Sequence, residues 1–186
     1  MRNYSVKKLV LNGLMIALVF LTTYFTRIPT PLPGGYFNLG DAVIMLAAVF
    51  LGPVGGLVAG AIGSGLADLA AGAFLFAPIT LVVKGLEGLI VGLLAAKYQK
   101  KTVNQQEAGA SSHYRLILAV VVGAIIMVVG YFSAEAFVLG FFDEAFGWMA
   151  AVTELLPNII QGGLSAVLGY ILILLLSKMN IKKYID

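Results

Sequence analysis

The sequence predicts an all-α membrane protein, a single domain over residues 1–186. Six transmembrane helices are expected, with both termini cytoplasmic and a ligand pocket in the outer half of the bundle. Three observations carry this expectation. The chain is 60% hydrophobic and only 11% charged, with a mean hydropathy of +0.98, far too apolar for a soluble domain of this length. Its apolar runs approach bilayer length and are separated by proline, glycine or charge clusters. Its basic residues fall almost entirely on one side of those runs.

Taken in order, Lys7 and Lys8 precede an apolar run from Leu9 to Thr26. At about 1.5 Å per residue this run spans roughly 27 Å, close to the hydrocarbon thickness, and no small-x-small cleavage site follows it. It is expected to be a retained first helix. The segment Arg27 to Asn38 carries Pro29, Pro31, Pro33, Gly34 and Gly35 and is expected to be an extended, mobile connection. Helix two is placed from Leu39 to Leu51, short for a full span and ended by Gly52-Pro53, and helix three from Val54 to Ala71. Gly56 and Gly60 in helix three form a GxxxG pair that admits a close neighbour. After a turn from Gly72 to Pro78, helix four runs from Ile79 to Ala96. The polar segment Lys97 to Arg115 is expected to be a loop, with the lone His113 solvated in it. Helix five is placed from Leu116 to Val138 and helix six, with Pro157 inside it, from Met149 to Leu176.

Charge then orients the bundle. With cytoplasmic termini, Arg2, Lys7, Lys8, Lys97, Lys100, Lys101, Arg115, Lys178, Lys182 and Lys183 lie inside and Arg27 alone lies outside. That asymmetry accounts for the net charge of +3 without nucleic acid. The remaining basic residue, Lys84, falls within helix four.

Lys84 belongs to a set of polar residues that this topology gathers in the outer leaflet. Asn38 and Asp41 stand at the start of helix two, Ser64 and Asp68 near the end of helix three, and Lys84 and Glu87 early in helix four. Tyr131 and Glu135 follow in helix five, and Glu154, Asn158 and Gln161 in helix six. Offsets of three, four and seven residues place each helix's members on one face. Buried ionisable groups in a membrane are expensive and usually mark partners or a wet cavity. Mutual pairing as structural glue explains single members. It does not explain the set, because Asp41, Asp68, Glu87, Glu135 and Glu154 outnumber the one lysine. An outward ligand pocket does, and Tyr36, Phe37, Phe74, Phe76, Tyr131, Phe132 and Trp148 supply nearby rings for stacking or for interface anchoring. Within the network, Lys84 is expected to hold Glu87 and Asp68, leaving Asn158, Gln161 and Glu135 for the ligand.

The chemistry excluded is as informative. The chain has no cysteine, no GxxxxGK[ST] phosphate loop, no HExxH and no GxSxG elbow. No enzyme activity, cofactor or metal is expected.

The runs NLGDAVIMLAAVFLGPVGGLVAGAIGSGLADL and APITLVVKGLEGLIVGLLA resemble the substrate-binding S components of energy-coupling factor (ECF) transporters. The likeness is to the riboflavin-transporter-like branch and is nearest to the hydroxymethylpyrimidine S component. It is close over helices one to four and holds in outline over five and six. It implies a cell-membrane subunit that captures a vitamin or precursor outside and works with a transmembrane T component and two cytoplasmic ATPases. It also implies a small-residue docking motif in helix one, which falls here on Gly13 and Ala17, with Gly in place of the family's first Ala. Hydroxymethylpyrimidine or a pyridoxine-like vitamer is the expected ligand. Riboflavin, or a stand-alone secondary transporter of a small heteroaromatic, is the alternative.

Overall fold

Long apolar stretches without internal polar punctuation give this chain its helices, since in a bilayer a helix is the segment that satisfies its own backbone. A computed structural model describes residues 6–32, 34–103 and 110–178. Pro33, Arg2, Lys182 and Lys183 lie outside the described residues. The first helix, α1, is Val6–Phe25. Beyond it the proline-rich segment is extended, as its composition predicts, and pairs with itself into a small ribbon. Strand β1, Ile28–Pro29, pairs antiparallel with β2, Tyr36–Phe37, in the register Ile28 to Phe37 and Pro29 to Tyr36.

The second helix, α2, is Gly40–Ala71, and it contains the one backbone break inside a described helix. Gly52 has φ 84° and ψ −177°, a combination essentially closed to residues with a Cβ, and Pro53 beside it has no N–H to donate. The break is a reversal of direction. A Cβ built on Gly60 would lie 3.1 Å from Ile44 Cγ2, and one built on Gly56 would lie 2.6 Å from Ala48 Cβ. In a straight helix residues 44 and 60 would stand about 24 Å apart. Residues 40–51 and 53–71 are therefore the two antiparallel legs of a helical hairpin. The expected helices two and three are these legs.

The third helix, α3, is Ala77–Val103, and α4 is Ala110–Phe137. The expected loop from Lys97 to Arg115 is thus largely helical at both ends. His113 is not a solvated loop residue: its ring lies 6.1 Å from that of Tyr98, and its Nδ1 is 3.4 Å from the Tyr170 hydroxyl. A 3₁₀ turn, Leu139–Phe141, leads to α5, Trp148–Lys178. Among the described residues, five helices are long and apolar enough to cross a membrane.

Packing is tightest between the second leg of α2 and α3. The backbones touch where a Cβ on Gly60 would sit 3.0 Å from the Lys84 carbonyl carbon, which is the close approach the glycine pair foretells. Met45, Val49, Val91, Leu116 and Ile173 from four helices fill the core at one end of the bundle. Helix α1 stands apart: only 11% of its span is buried, and it touches α2 mainly through Val19 and Ile16. Gly13 and Ala17 lie on its exposed side, with open space around Gly13.

Candidate functional site

At the end of the bundle where α1 gives way to the ribbon, polar side chains from all five helices meet under that ribbon. The nucleus is an ion cluster. Lys84 Nζ donates to Asp41 Oδ1 and stands 3.7 Å from Glu87 Oε2, with all three residues at most 2% exposed. The hairpin in α2 makes this pairing possible, because it returns Asp41 to the level of the first turns of α3. Gln161 of α5 extends the cluster: its Nε2 donates to Asp41 Oδ2 at 2.9 Å, and its Oε1 accepts from the Asn38 backbone N–H at 2.9 Å. Asn38 Oδ1 in turn accepts from the Gly40 N–H at 2.9 Å, covering an orphan donor at the start of α2.

Above this cluster lies a small cavity with about 40 Å³ of interior reachable by the centre of a water molecule. Eight of the sequence-predicted ligand residues line it: Asn38, Ser64, Asp68, Lys84, Tyr131, Glu135, Asn158 and Gln161. Asp41 and Glu87 do not. They sit behind Lys84 as its counter-ions, which corrects their expected role as ligand contacts. Two further expectations change. Asp68 is not held by Lys84; it accepts from the Tyr36 hydroxyl, so the ribbon is tied to the end of α2. Gln161 is not free, since both its amide atoms are engaged within the wall.

The roof is the ribbon itself. Gly34, Gly35 and Tyr36 line the cavity, and the Leu32 N–H donates to Glu154 Oε1 of α5 at 3.3 Å. The Arg27 guanidinium lies 4.2 Å from the Tyr24 ring centroid and 5.5 Å from that of Tyr36, stacking the base of the ribbon on the end of α1. Burial, reinforced by the Asp68 carboxylate, raises the Tyr36 hydroxyl above its ordinary pKa, so it stays a donor.

The walls are aromatic. Tyr131 has its hydroxyl 2.8 Å from Thr80 Oγ1 and its ring 5.3 Å from Lys84 Nζ, and Phe76 packs beside it. Phe132 and Trp148, expected near the mouth, meet edge to face outside the cavity lining, with Trp148 57% exposed. Two polar side chains in the lining, Thr80 and Thr23, were not singled out from sequence, whereas Glu154 was placed on one face with Asn158 and Gln161. Thr80 lies one turn before Lys84 on the same face and was legible by spacing. Thr23 sits in an otherwise apolar helix and gives no local signal. A larger groove, about 610 Å³, between α3 and α4 is lined by side chains such as Leu75, Val82 and Phe142. Its lining suits lipid, not polar recognition.

A family model described as "ECF-type riboflavin transporter, S component" matches residues 3–178. The chain belongs to that family. This S component is therefore a substrate-binding subunit of an ECF-type transporter, in a family of transport proteins and not of enzymes. A solved structure described as the S component of a bacterial ECF transporter shares its fold, with a TM-score of 0.66 at 20% identity over 93% of this chain and 96% of the other. An uncharacterised Pyrococcus woesei protein is 40% identical over 81% of this S component and 88% of its own length. A Lactococcus lactis relative, UPF0397 protein YdcD, is 37% identical over 56% of each chain. Streptococcus pneumoniae UPF0397 proteins match at 37% identity over 48% of each chain, so this S component spans about half the length of those relatives.

Proposed function

We propose that this S component captures a small flat heteroaromatic vitamin or precursor from outside the cell membrane. It hands the ligand inward together with a T component and two cytoplasmic ATPases. The observation that carries the reading is the polar cavity buried at one end of an apolar bundle and roofed by a ribbon held through Tyr36 and Leu32. Placing the basic ends of α3, α4 and α5 in the cytoplasm puts that cavity in the outer half, in keeping with positive-inside topology. Asn38, Ser64, Asp68, Tyr131, Glu135, Asn158 and Gln161 line the binding surface, and Lys84, braced by Asp41 and Glu87, forms its floor. Rings at Phe76 and Tyr131 supply stacking faces.

The interior of about 40 Å³ holds a few waters and is far below the roughly 300–1,000 Å³ of ordinary ligand pockets. The ribbon must therefore lift for entry and close again over the ligand. A modest interior and a wall of hydrogen-bond acceptors favour hydroxymethylpyrimidine or a pyridoxine-like vitamer over riboflavin. Coupling to the T component is assigned to the exposed small-residue face of α1 at Gly13 and Ala17.

Native mass spectrometry of the detergent-purified protein, followed by calorimetry with hydroxymethylpyrimidine, pyridoxine and riboflavin, tests the ligand. The expected result is tight binding of one of the two smaller rings by the isolated subunit. Uphill uptake in liposomes should need the T component and ATPases. Accumulation by the single chain under a pH gradient would instead establish a secondary transporter.

A further inference from the structure

The cavity has a chemical bias that its outline does not reveal. Its strongest donors are already spent: Lys84 is directed at Asp41 and Glu87, the Gln161 amide at Asp41, and the Tyr36 hydroxyl at Asp68. Beside the Asn158 amide and the Thr23 and Ser64 hydroxyls, what is left over is carboxylate oxygen. Glu135 Oε2 and Asp68 Oδ2 have no hydrogen-bond partner, although these residues are only 2% and 3% exposed and line the cavity. The Ser64 hydroxyl, in a residue 2% exposed on the same wall, is likewise unpartnered and can donate as well as accept. Glu154, 3% exposed, contributes a further carboxylate and gives only one oxygen to the Leu32 N–H.

The lining thus holds three carboxylates, Asp68, Glu135 and Glu154, against one ammonium that Asp41 and Glu87 already neutralise from behind. Buried carboxylates with free oxygens are strongly unfavourable until something positive or donating meets them. Among the described residues no group of three or more His, Cys, Asp or Glu side chains converges closely enough to hold a metal ion. The tyrosine face at Tyr131 and the ring of Phe76 complete the description, because π faces attract cationic rings.

Taking the cavity as the substrate site proposed above, we infer that its ligand is an organic cation, a flat nitrogen heterocycle bearing positive charge. That charge meets the free carboxylate oxygens of Glu135 and Asp68 while the ring lies against Tyr131. Neutral rings without donors are selected against, since they leave the same oxygens unpaired.

A matched pair of probes isolates the charge: 1-methyl-3-(hydroxymethyl)pyridinium and its neutral isostere 3-methylbenzyl alcohol, titrated calorimetrically into the purified chain beside hydroxymethylpyrimidine, pyridoxine and riboflavin. The cation is expected to bind about 10-fold or more tightly than the isostere, because its charge is attracted by the carboxylates and by the Tyr131 face while the hydroxyl is common to both probes. Glu135→Gln, which keeps shape and removes charge, should bring the ratio towards one while preserving the thermal stability of the unliganded protein. Should Glu135→Gln fail to fold, Asp68→Asn carries the same test, because its amide oxygen can still accept from the Tyr36 hydroxyl. Equal or reversed preference in the wild type, or a ratio that a folded variant leaves unchanged, overturns the inference. Binding of a vitamin without any binding of the cationic probe also overturns it and leaves the substrate site standing. No binding by any of these compounds overturns both.

Discussion

Replacing Lys84 by alanine should be the most destabilising single change in the polar end of the bundle. Lys84, Asp41 and Glu87 are 2%, 1% and 0% exposed, and among the described residues the ammonium is the one cation paired with these two carboxylates. Removing one partner of a buried ion pair typically costs about 3–5 kcal/mol, because the charge left behind is uncompensated. For a chain of this length each kcal/mol shifts the midpoint by about 2–4 °C, so the melting temperature should fall by about 6–20 °C. The cluster also ranks its members. Glu87→Gln removes the more distant carboxylate, at 3.7 Å, and leaves a one-to-one pair, so it should lie within about 1 kcal/mol of wild type. Asp41→Asn loses a partner of both Lys84 and Gln161 and should fall between. A triple variant, Lys84→Met with Asp41→Asn and Glu87→Gln, should recover most of the loss, since a neutral cluster needs no counter-ion. Detergent thermal shift, read by tryptophan fluorescence or by size-exclusion recovery, gives the ordering directly. The reasoning is refuted if Lys84→Ala melts within 2 °C of wild type, a shift of less than about 1 kcal/mol, or if Glu87→Gln is as damaging as Lys84→Ala.

Three other outcomes follow from the same geometry. Tyr36→Phe removes the hydroxyl that ties the roof to Asp68, and should speed proteolysis at Arg27 and weaken ligand binding by about 0.5–3 kcal/mol; identical cleavage rates in the two proteins would show that the ribbon is not latched there. Because burial raises the Tyr36 pKa, the neutral donor is favoured in the folded state, so from neutral pH upward this latch should hold to about pH 10 and loosen above it, as cleavage rates at pH 7 and pH 11 would report. Gly13→Trp or Ala17→Trp adds bulk to the exposed face of α1, where Gly13 has no atom nearby, and should abolish co-purification with a T component while ligand affinity stays within about twofold; unchanged pull-down by both would move the docking face elsewhere. Gly52→Ala forces a Cβ into φ 84°, ψ −177° and should destabilise the hairpin by about 1–3 kcal/mol in the same thermal assay, and an unchanged melting temperature would mean the turn tolerates another conformation.

Composition and local spacing determined a good deal of this protein. Apolar run lengths gave the helices, Gly52-Pro53 marked the reversal, and offsets of three, four and seven put Ser64 with Asp68 and Asn158 with Gln161 on shared faces. These are properties of a segment by itself, set by backbone hydrogen bonding in lipid and by helical period. Tertiary structure decided which faces meet. Lys84 pairs with Asp41 and not with Asp68, and Gln161 reaches Asp41 across 120 residues of sequence. Tyr36 takes Asp68 for the roof, and Thr23 enters the cavity from a helix with no polar stripe. In a soluble protein an apolar stripe would announce each helix's rotation. Here helices are apolar on nearly every side, because lipid and core ask for the same side chains, so the rotational phase and the partner of each buried charge emerge only when the helices pack.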